Sequence, residues 1–276
     1  MDKTVRVISL GAGIQSSAMV YMAGEGMIKA DYAVFADTGN ERKETYKYLD
    51  YLEQHSKIPI YRARNTRSGT ITEDLERFVS DDSKFWEGMP PLWFSDEKGN
   101  GQARQQCTTY YKIKVVEKFI NQKAKADRQT DRQTDRQTDR KMLIGISVDE
   151  IHRANSGNDK KITREFPLVK LRMSRNDCSA YIQKLDHPLP PKSGCLICPY
   201  ASMKNYQSYS QEELDEVIKF DEMIRNGFAK EKTKGRNRQY FLSNRRVSIK
   251  RLIELESKNN DLFGEMEGCD SGFCYV

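Results

Sequence analysis

Histidine is nearly absent from this chain. The three residues, His55, His152 and His187, stand at no spacing that makes a catalytic triad or a His-x-x-x-His metal pair. Histidine-centred hydrolysis and histidine-ligated zinc are set aside on that ground. No apolar run reaches the roughly 18 residues needed to span a bilayer, so neither a membrane helix nor a membrane partner is expected. The opening Met1-Asp2-Lys3-Thr4-Val5-Arg6 runs straight into a strand-like stretch, without the charged, apolar and small-residue succession of a secretory leader. A cytoplasmic location is the expectation. Cysteine is sparse, six in 276 residues, and in a reducing compartment six thiols are not a disulfide framework. No glycine loop ends in Gly-Lys-Ser/Thr, which excludes a Walker A site.

What is present supports a folded protein with an appetite for anions. The hydrophobic fraction of 37% is enough for a packed core, and 31% charged residues make a solvated surface. A net charge of +6 favours nucleotides, sulfate or RNA without choosing among them. Residues 5–10 form a β-branched apolar run that stops at glycines, and 16–23 continue at helical spacing. A second run at 32–36 leads through Asp37-Thr38-Gly39 to a helix over 41–53, and 58–61 read as a third strand. That alternation predicts an α/β fold: an open, mostly parallel sheet with flanking helices. Residues 82–105, rich in Asp, Gly, Pro and Lys, read as a long loop. Helical periodicity returns over 107–123, a strand over 142–147, a helix from Ser174 to Leu185, and amphipathic helices near 211–225 and 247–257. The expected division is a nucleotide-binding domain over 1–190 and a helical, cysteine-bearing extension over 191–276. Three tandem copies of Asp-Arg-Gln-Thr fill 127–138, followed by Asp139-Arg140. With no apolar residue, this 127–140 segment is expected to be a solvated insertion that lengthens the preceding helix, or a contact for RNA or a partner.

The loop Ser9-Leu10-Gly11-Ala12-Gly13-Ile14-Gln15-Ser16-Ser17 lies between a strand and a helix, where backbone N–H groups and a helix N-terminus favour a bound anion. A dinucleotide fingerprint matches at Gly11 and Gly13, with Asp37 as the ribose acid, but has Ser16 in place of the third glycine. Taken with Phe35-Ala36-Asp37-Thr38-Gly39 and Glu44-Thr45-Tyr46, the loop resembles the PP-loop of the phosphoadenosine phosphosulfate (PAPS) reductase family, within the adenine nucleotide alpha-hydrolase superfamily. Further blocks are similar over about residues 5–200. They are Gln106-Cys107 with Lys112-Ile113-Lys114, then 143–147 with Asp149, Glu150 and Arg153, then Pro167-Leu168-Val169 with Asp177 and Tyr181. Gln15 resembles the reductases' loop, in which Gln replaces the Asp of ATP-hydrolysing relatives.

Under this resemblance, the amides of Gly11, Ala12, Gly13 and Gln15 and the hydroxyls of Ser9, Ser16 and Ser17 hold phosphate or sulfate. Asp37, Thr38 and Gly39 face the ribose or adenine, and Arg153 and Arg164 take the remaining charge. A carboxylate at position 15 would hold Mg²⁺ for pyrophosphate release, so Gln15 tilts the chemistry from ATP towards a sulfonucleotide. Cys195-Leu196-Ile197-Cys198 can bite one zinc ion or one [4Fe-4S] cluster, with Cys107 as third ligand. The fourth ligand stays open. Cys178 is one candidate, although helix burial explains it equally well. Cys269 and Cys274 in the tail are others, unless one of them is the catalytic nucleophile.

The favoured function is thiol-dependent reduction of PAPS or its 3′-dephospho form (APS) to sulfite, with a thioredoxin-like dithiol as reductant. The rival is an ATP-dependent iron–sulfur sulfurtransferase acting on a nucleic acid or small molecule, with Mg²⁺ if ATP is used. A non-catalytic nucleotide-binding module is the third reading.

Overall fold

The computed structural model describes residues 4–65, 69–82, 85–130, 139–154 and 162–258. Strand β1 (Thr4–Leu10) is followed by helix α1 (Ile14–Gly24), β2 (Tyr32–Ala36), α2 (Lys43–His55), β3 (Ile60–Ala63) and α3 (Ile71–Ser80). A hairpin of β4 (Trp93–Asp96) and β5 (Gly99–Gln102) comes next, then a π-helical turn, Thr108–Ile113, that runs into α4 (Lys114–Thr130). After β6 (Asp139–Ile144), a 3-10 turn (Val148–Arg153) and β7 (Thr163–Glu165), the chain is mostly helical. The remaining elements are α5 (Pro167–Lys170), α6 (Arg175–Lys184), α7 (Met203–Gln207), α8 (Gln211–Ile224), α9 (Ala229–Lys232), β8 (Gln239–Phe241) and α10 (Ile249–Lys258). Among the described residues no helix is long and apolar enough to cross a membrane.

The main sheet has the order β3-β2-β1-β6-β7 and is parallel throughout. Alternation along each strand assigns its two faces. Ile8, Phe35 and Leu143 pack beneath α1, α2 and α6, while Val7, Val34 and Met142 pack beneath α4. Strand β2 is buried at all five positions, as a parallel strand covered on both faces must be. The chain winds outward from β1 to β2 and β3, then returns to place β6 on β1's other side. The crevice where the winding reverses therefore lies at the carboxyl end of β1, between β1 and β6.

A second core does not follow the chain order. Leu75 and Phe78 of α3, Trp86, Leu92 and Tyr111 pack with Leu196, Tyr206, Phe220, Tyr240 and Leu252 in one cluster. A three-stranded antiparallel sheet, β5-β4-β8, forms part of it, with Trp93 opposite Phe241. The loop expected over 82–105 is thus corrected: residues 93–102 form a hairpin, held because β8 arrives from the far end of the chain. The core also crosses position 190, joining residues 71–111 to 196–252.

Helix α4 runs into the Asp-Arg-Gln-Thr repeat as far as Thr130, and Asp139-Arg140 open β6, where Arg140 bonds Asn121. Residues 131–138 lie outside the described residues.

Candidate functional site

Three strand ends meet at the crevice. After β1, the chain turns at Ala12, which is wholly buried and left-handed at φ 54°, and enters α1 at Gly13. Ser16 ties this turn together: its hydroxyl donates to the Gly13 carbonyl at 3.2 Å and accepts from the Gly11 amide at 3.2 Å. The loop is fixed before any ligand arrives, and α1 begins there with no side-chain cap. The end of β6 presses on the same turn. A Cβ at Gly145 would stand 3.0 Å from the Ser16 amide nitrogen, so a larger residue there would push the two strand exits apart by a few tenths of an ångström. From there Ser147 accepts a 3.4 Å hydrogen bond from the Gln15 carboxamide. Ser9 is half-buried in β1, between Val34 and Ile144, and Ser17 is wholly buried in α1.

The third strand end carries Asp37, Thr38 and Gly39. Asp37 accepts from the Gly39 amide (2.8 Å), the Tyr46 hydroxyl (2.7 Å) and Arg64 (2.5 Å). Burial alone would raise its pKa, but these bonds from Arg64, Tyr46 and Gly39 outweigh it and hold the carboxyl below its ordinary value. Gly39 is left-handed at φ 71°, and a Cβ there would lie 2.1 Å from Thr70 Cγ2, so the turn requires glycine. Arg153 is buried and paired with Glu150 at 2.6 Å. Burial raises the Glu150 pKa, and Arg153 opposes the rise. Arg164 stands apart from the loop. It is in register with Met142, on the face beneath α4, and pairs with Glu117 at 3.7 Å.

Beside this crevice lies a small cavity of about 30 Å³, lined by Cys107, Cys195, Cys198, Thr38 and Lys112. The Cys-x-x-Cys loop is fastened to residues 38–41. Cys195 bridges Glu41 in antiparallel fashion, Leu196 donates to the Asn40 carbonyl, and Ile197 donates to the Asn40 side chain. Just upstream, Ser193 covers the loop after β1 so closely that a Cβ at Gly13 would meet its hydroxyl at 2.7 Å. Glu41 is the hub. Its Oε1 accepts from Thr38 at 3.2 Å and from the Cys195 thiol at 3.4 Å, and pairs with Lys112 at 3.1 Å. Lys112 reaches it from the π-helical turn, a deformation that recurs at functional sites. Both charged side chains are at most 9% exposed.

Lys112 belongs to the sequence block singled out with Cys107, but nothing in the periodicity pointed to Glu41. It reads as an ordinary acid opening the helix expected over 41–53, and only the fold shows it buried.

The three thiols expected to bind a metal do share one cavity. They are not a ready site, because among the described residues no group of three or more His, Cys, Asp and Glu is arranged to hold a metal ion. The donor chemistry agrees with a metal, but the geometry as it stands does not. Cys178 is wholly buried in the core beneath α6, where burial pushes its thiol up to about 12, so it is a packing residue. Cys269 and Cys274 lie outside the described residues.

Fold and loop together define a parallel α/β protein with a glycine loop at its switch point. More particularly, the phosphoadenosine phosphosulfate reductase domain model matches residues 6–191, and the chain belongs to that family. An uncharacterised 37.8 kDa protein of Escherichia phage 186 is 31% identical over 98 residues, which is 36% of this chain and 26% of that protein. The chain thus matches about a quarter of that relative's length. Among solved structures, the PAPS reductase of Candida auris in a phosphate complex is 12% identical with a TM-score of 0.42, covering 69% of this chain and 76% of the reductase. The U34-tRNA thiolase NcsA of Methanococcus maripaludis, with its [4Fe-4S] cluster, is 13% identical with a TM-score of 0.35, covering 80% of this chain and 65% of the thiolase.

Proposed function

We propose that this chain is an enzyme that binds an adenine sulfonucleotide, PAPS or APS, at the loop after β1 and reduces it to sulfite. The observation that carries this reading is Gln15. Its carboxamide is buried at the first turn of α1 and bonded to Ser147, so the anion cradle holds a neutral donor where a Mg²⁺-binding carboxylate would serve ATP cleavage. The cradle amides and Ser16 grip the phosphosulfate, and residues 37–39 border the nucleoside.

A tail thiolate, Cys274 or Cys269, attacks the sulfate sulfur. The sulfur–oxygen bond to the phosphate breaks, the nucleotide leaves with that oxygen, and an enzyme S-sulfonate forms. A thioredoxin-like dithiol then releases sulfite and becomes a disulfide. The assay is sulfite release from PAPS or APS with thioredoxin present. Loss of turnover in Cys274→Ser or Cys269→Ser identifies the nucleophile, and nucleotide binding without sulfite release from the unaltered chain contradicts the reading.

A second reading is favoured by one observation, the shared cavity of Cys107, Cys195 and Cys198. It makes the chain an ATP-dependent sulfurtransferase in which these thiols take part, either on a metal centre or as sulfur carriers. Its signature is pyrophosphate release from ATP with Mg²⁺ and an acceptor. Metal analysis and an absorption spectrum after oxygen-free purification separate iron–sulfur, zinc and no metal.

A further inference from the structure

Charge is distributed unevenly. Residues 230–251 hold nine Lys and Arg and one acid, a net +8, whereas the whole chain carries +6. The rest of the molecule is therefore net −2, and its positive excess comes from this one segment. The single acid, Glu231, is withdrawn from the surface: it is 5% exposed and held by the Tyr240 hydroxyl at 2.9 Å and by Arg238 at 3.4 Å. Every residue of 232–237 is exposed, including Lys232, Lys234 and Arg236.

Aromatic rings are interleaved with these cations. Lys234 lies 4.6 Å from the ring of Phe85, one of the few large apolar side chains left exposed. Arg238 covers Phe94 at 4.1 Å and Arg246 covers Trp93 at 5.6 Å. The Trp93 indole donates to the Pro199 carbonyl, directly after Cys198, so this face adjoins the thiol cavity.

We infer that α9, β8 and the turns beside them form a surface for a single-stranded nucleic acid. Cations on an exposed turn follow a phosphate backbone, and an exposed ring among them offers a stacking platform for a base. A lipid surface fits less well, because Ile249 and Leu252, the apolar side of α10, are buried, so no helix here offers an apolar face to insert and Phe85 stands as a single ring. Nothing in this inference depends on the reaction proposed above, and its test needs no nucleotide turnover.

The test is fluorescence anisotropy of a labelled mixed-sequence single-stranded RNA of about 20 nucleotides, titrated with the full chain from about 50 to 200 mM salt. The expected result is binding that weakens linearly in log–log terms with salt. The triple variant Lys232→Gln, Lys234→Gln, Arg236→Gln loses about tenfold in affinity at 0.1 M salt and shows a slope shallower by about 2. Phe85→Ala weakens binding about fivefold or more at an unchanged slope, the mark of lost stacking. Neutralising Lys29, Lys47 and Lys184, exposed elsewhere on the molecule, leaves affinity within about twofold. The inference is overturned if that control triple weakens binding as much as the first. It is also overturned if the unaltered chain ignores RNA and binds vesicles of anionic phospholipid.

Discussion

The core of the parallel sheet is closed by helices that stand next to its strands in the chain: α1 follows β1, α2 follows β2, and α4 leads into β6. The second core is closed by distance. Leu75 waits for Phe220 and Leu252, and β4 gains its second neighbour only when β8 returns to it. The first region carries the glycine loop after β1 and the second carries most of the thiol cavity. They are joined through residues 38–41, where Glu41 meets Cys195 and Lys112. The sulfur chemistry proposed above would depend on this junction, which neither region builds alone.

The largest expected effect breaks that junction. Lys112→Met leaves the Glu41 carboxylate buried without its cation, and removing one partner of a buried pair costs about 3–5 kcal/mol. Denaturant unfolding measures it, and a loss under about 1 kcal/mol would mean that the pair does not weld the two regions.

Core truncations come next. Leu49→Ala in the first core and Leu75→Ala in the second each cost about 2–5 kcal/mol, both being wholly buried. Because they belong to separate clusters, the double variant should equal their sum to within about 0.5 kcal/mol. A larger interaction energy would merge the two cores into one.

The two regions were also unequally legible. Strands β1, β2 and β6 announce themselves as apolar runs that stop at or close to a glycine, and α2 and α8 as apolar periods. The parallel sheet, its flanking helices and the glycine loop could therefore be read directly. The hairpin could not. Its β5 strand, Gly99-Asn100-Gly101-Gln102, has no apolar residue, and β8 has three residues whose partner lies in another part of the sequence. Such pairing is a tertiary fact with no local period. In the site, Gln15, Asp37 and the three thiols were found by motif, because each sits in a short constellation. Glu41 escaped because burial, not neighbourhood, makes it the hub. Arg164, an expected anion ligand, pairs with Glu117 on the face beneath α4, a placement that no local pattern reveals.

A smaller effect sharpens the contrast at the turn after β2. Asp37 is held below its ordinary value of 3.8, since the bonds from Arg64, Tyr46 and Gly39 outweigh burial. A depressed carboxyl adds stability that is fully present above the unfolded value and is lost as pH falls through the folded one. The stability gap between the unaltered chain and Asp37→Asn should therefore be constant near neutrality and close progressively below about pH 4. A gap that does not change with acid would show that the hydrogen bonds to Asp37 are not what holds this turn.

The central claim, that the loop after β1 is built for a sulfonucleotide, is tested most directly by equilibrium titration of PAPS and of ATP with Mg²⁺. The unaltered chain and Gln15→Glu are compared. PAPS should bind the unaltered chain more tightly, without needing Mg²⁺, and Gln15→Glu should weaken it by about tenfold or more by setting a carboxylate against the anion. Tighter binding of ATP that requires Mg²⁺, with PAPS affinity unmoved by Gln15→Glu, would contradict the account.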